Sequence, residues 1–179
     1  MASIGFYAKK GGVGKTTMAL LFFRFMRNSD ITVGIKDMDP QGTLGAALKA
    51  LGWQTDRDPD YTLVDYPSKL SVSSSNELKT LDRIIVPTGI SFADQHALQQ
   101  SLSELSSAGV DKKVIRIVPN RIRHSSTHDD GIEQIKKLKF KMTPPMPLRM
   151  EIEDFVDRKG KLHPSVRETV NQIIIKAVG

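Results

Sequence analysis

Apolar residues in this chain of 179 fall into short runs separated by polar clusters. The first, Ser3-Ile4-Gly5-Phe6-Tyr7-Ala8, is apolar nearly throughout and stops at glycines, which predicts a buried strand feeding a loop. Similar runs at 31–35, 61–64, 83–86 and 113–118 each end in polar or turn residues: Asp37-Met38-Asp39-Pro40-Gln41-Gly42, Asp65-Tyr66-Pro67, Pro87-Thr88 and Pro119-Asn120. Five strands are therefore expected, with chemistry concentrated at their carboxyl ends.

Helical periodicity fills the intervals. Residues 15–27 are apolar on nearly every side, from Met18 through Met26, as in a helix buried against a sheet. At 92–106, Phe92, Leu98, Leu102 and Leu105 are expected to share a face; at 129–139, Ile132, Ile135 and Leu138 do. Residues 71–76 read as a loop leading into a helix, with Ser and Asn as caps. Pro144-Pro145-Met146-Pro147 reads as an extended connector, since proline disfavours helix at and before its own position. Two short helices are expected at 149–157 and 164–177, the second with Val166, Val170, Ile173, Ile174 and Ala177 on one apolar face. Strands alternating with helices predict an α/β fold: a mostly parallel sheet flanked by helices on both faces, in one domain over 1–179. In such sheets ligands sit at the carboxyl ends of the strands.

Composition narrows the chemistry. The chain has no cysteine, which excludes disulfides, thiolate zinc sites and cysteine-held iron–sulfur clusters. It shows no signal pattern and no apolar run near the roughly 20 residues that span a bilayer, so a cytoplasmic protein with no membrane partner is expected. The formal charge of +6 is uneven: residues 1–111 hold 11 Lys+Arg against 12 Asp+Glu, and 112–179 hold 15 against 8. That basic final third suits a polyanion, or is a solvated surface with no partner.

The candidate chemistry begins at Lys9-Lys10-Gly11-Gly12-Val13-Gly14-Lys15-Thr16-Thr17. Glycines between a strand and a helix let successive N–H groups turn toward phosphate oxygens, and the helix adds its positive end. Lys15 can then reach the terminal phosphates and Thr16 can ligate Mg²⁺. Asp65, after four mostly apolar residues, has the form of a Walker B carboxylate. Asp37 and Asp39, two apart in an extended segment, face one side, and one or both could reach the metal or the attacking water.

Lys10-Gly11-Gly12-Val13-Gly14-Lys15-Thr16-Thr17 resembles the deviant Walker A box of the ParA/MinD family of P-loop ATPases, whose form is K-G-G-x-G-K-[ST]. Asp37 to Gly42 resembles the family's second box and Leu63-Val64-Asp65-Tyr66-Pro67 its Walker B. The segments Ile84 to Thr88, Ser91-Phe92 and Val118-Pro119-Asn120-Arg121 resemble plasmid-partition members, closest to small ParF-like ones without an N-terminal helix-turn-helix. Ala8 stands where the family often has Asn, and the 22 residues between Gly42 and Asp65 are a short interval for it.

The resemblance implies ATP and Mg²⁺ as cofactors and weak intrinsic ATP hydrolysis. It assigns nucleotide binding to residues 10–17, with Lys10, Gly11, Gly12, Val13, Gly14, Lys15, Thr16 and Thr17 in the loop, and to Asn120 near the adenine. Thr16, Asp65 and Asp39 would serve the metal, and Lys10, Lys15 and Asp39 catalysis, with Lys10 crossing to a partner subunit's phosphates in an ATP-sandwich homodimer. It further implies nonspecific DNA binding, for which Arg121, Arg123, Arg149, Arg158, Lys159 and Lys161 are the candidates. A small ParB-like centromere-binding or adaptor protein would stimulate hydrolysis, and the protein would associate with the nucleoid. A MinD-like membrane-cycling ATPase is the alternative, although the 164–177 face, with few cations and no bulky aromatic, better suits packing against the sheet. Lys9, in the slot of the usual first glycine, is expected to be a surface charge near the dimer seam.

Overall fold

The runs that are apolar on both faces pair in parallel, as strands buried from both sides do. The structure, a computed structural model, describes residues 1–122 and 126–179. Its strands are β1 (Ala2–Phe6), β2 (Val33–Asp37), β3 (Tyr61–Asp65), β4 (Arg83–Thr88), β5 (Ile115–Pro119) and β6 (Lys141–Met142). They form one sheet in the order β2-β3-β1-β4-β5-β6, with every neighbouring pair parallel. The helices are α1 (Lys15–Asn28), α2 (Thr43–Leu51), α3 (Val72–Leu78), α4 (Phe92–Ser107), α5 (Ser126–Lys136), α6 (Met150–Glu153) and α7 (Pro164–Val178).

Successive strand residues point to opposite faces, and the core divides accordingly. Phe6, Leu63 and Ile85 pack with α1, α2 and α7; Val64, Ile84 and Val86 pack with α3, α4 and α5. This is the α/β fold expected, with helices on both faces. The apolar face of α7, Val166 through Ala177, is buried in the first of these cores. Among the described residues no helix is long and apolar enough to cross a membrane.

Several elements differ from the pattern reading. Phe92 is 88% exposed rather than sharing the buried face of Leu98, Leu102 and Leu105. Six residues at 3.6 per turn leave it about 120° from Leu98 around the helix. A capping box, in which Ser91 and Asp94 satisfy each other's backbone N–H, then fixes it as the first helical residue, facing outward. The helix expected at 149–157 is only Met150–Glu153, and the chain then turns through Lys159 and Gly160, both at positive φ. Ser71 does cap α3, accepting from the Ser74 N–H, but the helix starts at once, inside the segment read as loop. The short strand β6 and the helix α2 are additional.

Register aligns the functional edge. Phe6, the last residue of β1, pairs with Asp65 of β3, and Asp65 pairs in turn with Asp37 of β2. The loop leaving β1 therefore starts level with both acidic strand ends.

Candidate functional site

Residues 7–14 connect β1 to α1. Gly12 and Gly14 take positive φ (72° and 98°), a region closed to most side chains. Gly14 is also where a Cβ would meet the Asn120 amide nitrogen at 2.5 Å. That amide donates to the Val13 carbonyl at 2.7 Å, and its oxygen accepts from the Arg121 N–H at 3.0 Å. Asn120 thus lies buried against the loop, and its bonds brace the loop's backbone.

The loop's three lysines diverge. Lys15, the first residue of α1, is buried; its ammonium donates to the Ser68 hydroxyl at 2.8 Å and lies 3.4 Å from the Ala8 carbonyl. Burial lowers its pKa, against the pull of Asp65 and Asp39, which favour the charged form. Lys10 turns outward, with its ammonium 2.6 Å from Asp94 of the α4 capping box. Burial opposes ionisation of Asp94, but Lys10 and Ser91 overcome it and hold the carboxyl below its ordinary range. Lys9 goes the other way along α4, pairing with Glu104, which also accepts from the Tyr7 hydroxyl, while the Lys9 N–H donates to Ser101 at 2.9 Å. Lys9, expected to be only a surface charge, is a tether between the loop and α4.

Thr16 donates its hydroxyl to Asp65 Oδ2 at 2.6 Å. Asp65 is 1% exposed, and its Oδ1 has no hydrogen-bond partner among the described residues. Burial pushes its carboxyl up to about 6, with Asp37 and Asp39 adding to the rise and Thr16 and Lys15 opposing it. A buried carboxylate oxygen without a donor suits a hard cation, and Mg²⁺ takes one or two carboxylates together with nucleotide phosphates and waters. No group of three or more His, Cys, Asp or Glu able to hold a metal occurs among the described residues, so Thr16 and Asp65 would hold Mg²⁺ only with oxygens from the ligand.

The two acids of the second box separate. Asp37 accepts from the N–H groups of Asp39 and Gly45, which fixes the turn into α2. Among the described residues the Asp39 carboxylate accepts only from the Gln41 N–H at 3.0 Å, which leaves it further acceptor capacity. A cleft of about 430 Å³ opens beside the loop, lined by Lys10, Gly11, Gly12, Val13, Ser91, Asp94, Asn120 and Arg121 among others. That volume is within the range of small-ligand pockets.

The basic candidates do not form one patch. Arg121, at positive φ, donates to the Gly12 carbonyl at 2.8 Å and pairs with Glu153, so it belongs to the loop's surroundings. Arg149 lies near it, in a small crevice with Gly14 and Thr17. Arg158, Lys159 and Lys161 are exposed on the turn after α6, and Lys161 faces the far end of α1. Arg123 lies outside the described residues.

Sequence reasoning missed Ser68, Asp94 and Glu104. Asp94 did carry a signal, the Ser-x-x-Asp spacing of a capping box; Ser68 and Glu104 carried none, because their roles depend on how the loop lies across the sheet.

A glycine loop with two positive-φ residues at the carboxyl edge of a parallel sheet, with a buried lysine at the head of the following helix, defines the P-loop NTPase class. The chain belongs to the CobQ/CobB/MinD/ParA nucleotide binding domain family, whose sequence model matches residues 4–162. Comparison with proteins of curated function finds no match. Among solved structures, a candidate plasmid partition protein from Borrelia burgdorferi B31 bound to AMPPNP is similar, with TM-score 0.81 and 16% identity over 98% of this chain and 97% of that one. An ATP complex of McdA from Cyanothece gives TM-score 0.79 and 14% identity over 99% and 95%. The cell division protein MinD from Aquifex aeolicus gives 0.76 and 18% over 99% and 95%. At these identities the likeness is one of fold.

Proposed function

We propose that this chain is a ParA-type positioning ATPase, in which ATP with Mg²⁺ joins two copies into a dimer that binds DNA without sequence preference. A partner protein, of a small ParB-like or adaptor kind, would stimulate hydrolysis and release, and ATP turnover without it would be slow. The carrying observation is the divergence of Lys10 from Lys15: one ammonium sits beneath the chain's own cradle, and the other is held outside it by Asp94. A lysine so placed can serve a second subunit's phosphates, which makes nucleotide binding and association one event. The bound AMPPNP and ATP of the similar structures support the choice of nucleotide.

In this reading Lys15 neutralises phosphate charge in cis, Thr16 and Asp65 hold Mg²⁺, and Asp39 orients the water. The metal adds charge neutralisation at the transferring phosphoryl group. The basic residues outside the loop, Arg158, Lys159 and Lys161 foremost, attract phosphate backbone. The apolar face of α7 is buried in the core, which counts against the membrane-cycling alternative.

The test is sedimentation and DNA binding with and without a slowly hydrolysed ATP analogue. A nucleotide-dependent dimer whose DNA affinity falls steeply with salt is expected; monomer behaviour and no DNA binding under both conditions would refute the reading. Phe92 gives a second test. It is exposed next to Ser91 and two residues from Asp94, both of which line the Lys10 cleft. Phe92→Ser is expected to leave thermal stability within about 0.5 kcal/mol of the parent and to weaken nucleotide-dependent dimerisation roughly tenfold, as loss of a central aromatic contact does.

A further inference from the structure

Two residues just past β5 hold consecutive carbonyls of the phosphate loop. Asn120 is buried, and its amide donates to the Val13 carbonyl at 2.7 Å. Arg121, next along the chain, donates from its guanidinium to the Gly12 carbonyl at 2.8 Å. A trans peptide unit is planar, so its N–H points away from its C=O. Drawing the Gly12 carbonyl toward Arg121 therefore turns the Val13 N–H to the opposite side, and drawing the Val13 carbonyl toward Asn120 does the same for the Gly14 N–H. Neither N–H has a hydrogen-bond partner among the described residues. Adjacent backbone donors left free in this way suit anionic oxygens.

The backbone of Arg121 supports the same reading. It lies at φ 61°, a conformation that costs any residue with a Cβ and costs glycine nothing. Both neighbours are pinned: the Asn120 N–H donates to the Thr88 carbonyl at 2.7 Å, and the Ile122 N–H to the Met146 carbonyl at 3.0 Å. The Asn120 oxygen accepts the Arg121 N–H itself at 3.0 Å. A strained conformation enforced by its surroundings is a mark of functional positions. The ion pair with Glu153, at 3.3 Å between two groups open to solvent, contributes too little to account for an arginine there.

We propose that Arg121 is a positioning residue of the phosphate loop: through the Gly12 carbonyl its guanidinium turns the Val13 N–H toward the nucleotide's phosphates, so that Arg121 sets nucleotide affinity and is not a DNA contact. Asn120 acts alike on the Gly14 N–H. The proposal rests on nucleotide binding at this loop and not on dimerisation or DNA binding, so its test and theirs fail separately.

The full chain and its Arg121→Ala, Arg121→Gly and Arg121→Lys variants are titrated with ADP, with AMPPNP and Mg²⁺, and with inorganic tripolyphosphate, by competition against a fluorescent ADP analogue. Arg121→Ala is expected to weaken all three ligands about five- to tenfold, the worth of one net hydrogen bond. Tripolyphosphate has neither base nor ribose, so an equal loss there places the effect at the phosphates. The loss should persist at about 0.5 M salt, where a long-range charge effect would be screened. Arg121→Gly should lose the same affinity yet melt at a higher temperature than Arg121→Ala, because glycine removes the strain that alanine keeps. A merely structural role would restore affinity along with stability. Arg121→Lys keeps a donor for one carbonyl and should stay within about threefold of the parent.

Full affinity in Arg121→Ala, recovery of affinity in Arg121→Gly, a loss confined to the nucleotides, or a loss that vanishes at high salt would each overturn the proposal. So would a weaker salt dependence of DNA binding in Arg121→Ala at unchanged nucleotide affinity, the result expected of a contact to the DNA backbone.

Discussion

Lys15→Ala is expected to weaken ATP binding at least about 30-fold, because a charge-assisted contact with phosphate is worth about 2 kcal/mol or more and each 1.4 kcal/mol is tenfold. Lys10→Ala, five residues earlier in the same loop, is expected to keep ATP affinity within about threefold while losing nucleotide-dependent dimerisation and at least about 90% of turnover. The contrast follows from placement. Lys15 is buried at the head of α1, bonded to Ser68, whereas Lys10 reaches away from the cradle to Asp94. Equilibrium binding of a fluorescent ATP analogue, read beside sedimentation and phosphate release, separates the two. Equal loss of nucleotide affinity in both variants would remove the role of Lys10 toward a second subunit.

Asp65→Asn should produce the second large effect, and its sign depends on pH. The carboxyl titrates near 6 in the fold against 3.8 ordinarily, chiefly because burial disfavours its charge. The folded protein therefore binds the proton more tightly than the unfolded chain. The stabilisation this gives is complete below pH 4 and is lost as pH rises through 6. At pH 7 the ligand-free protein carries a penalty of roughly 3 kcal/mol from this residue. Asparagine removes the charge, so denaturant unfolding without ligand should show Asp65→Asn less stable than the parent near pH 4 by the cost of an amide donor left unpaired, and more stable at pH 7, by up to about 3 kcal/mol less that same cost. With Mg²⁺ and nucleotide the order should reverse, since Oδ1 would then meet a cation in the parent alone. A stability difference that does not change between pH 4 and pH 7 would contradict the burial argument.

Much of this site was legible before any coordinates, for a physical reason. A strand buried on both faces must be a continuous apolar run, and the loop that follows must carry glycines if backbone N–H groups are to converge. The ends of β1, β2 and β3 announced themselves in that way, and register then brought Phe6, Asp65 and Asp37 abreast. The family resemblance added the pairing of Lys10 with Lys15. What stayed hidden was contact set by tertiary geometry: Ser68 beneath Lys15, Glu104 against Lys9, Arg121 bonded into the loop. Phe92 shows the limit of periodicity, because a spacing of six falls about a third of a turn short of two turns and so points elsewhere. Residues 150–160 fit helical composition, but α6 stops after four residues and two positive-φ positions fold the rest into a turn.

The opposed lysines also make the loop a bridle on α4. Neighbouring residues hold Asp94 and Glu104, ten positions and about 15 Å apart along one helix, so the loop cannot slide along α4 without straining one rein. The reins are unequal. The Glu104 end is secured by Lys9, Tyr7 and the Ser101 bond to the backbone, whereas at the Asp94 end the loop is held by the single ammonium of Lys10. Any force that draws Lys10 outward therefore releases the loop from the front of α4 first and leaves the Glu104 end as the loop's pivot.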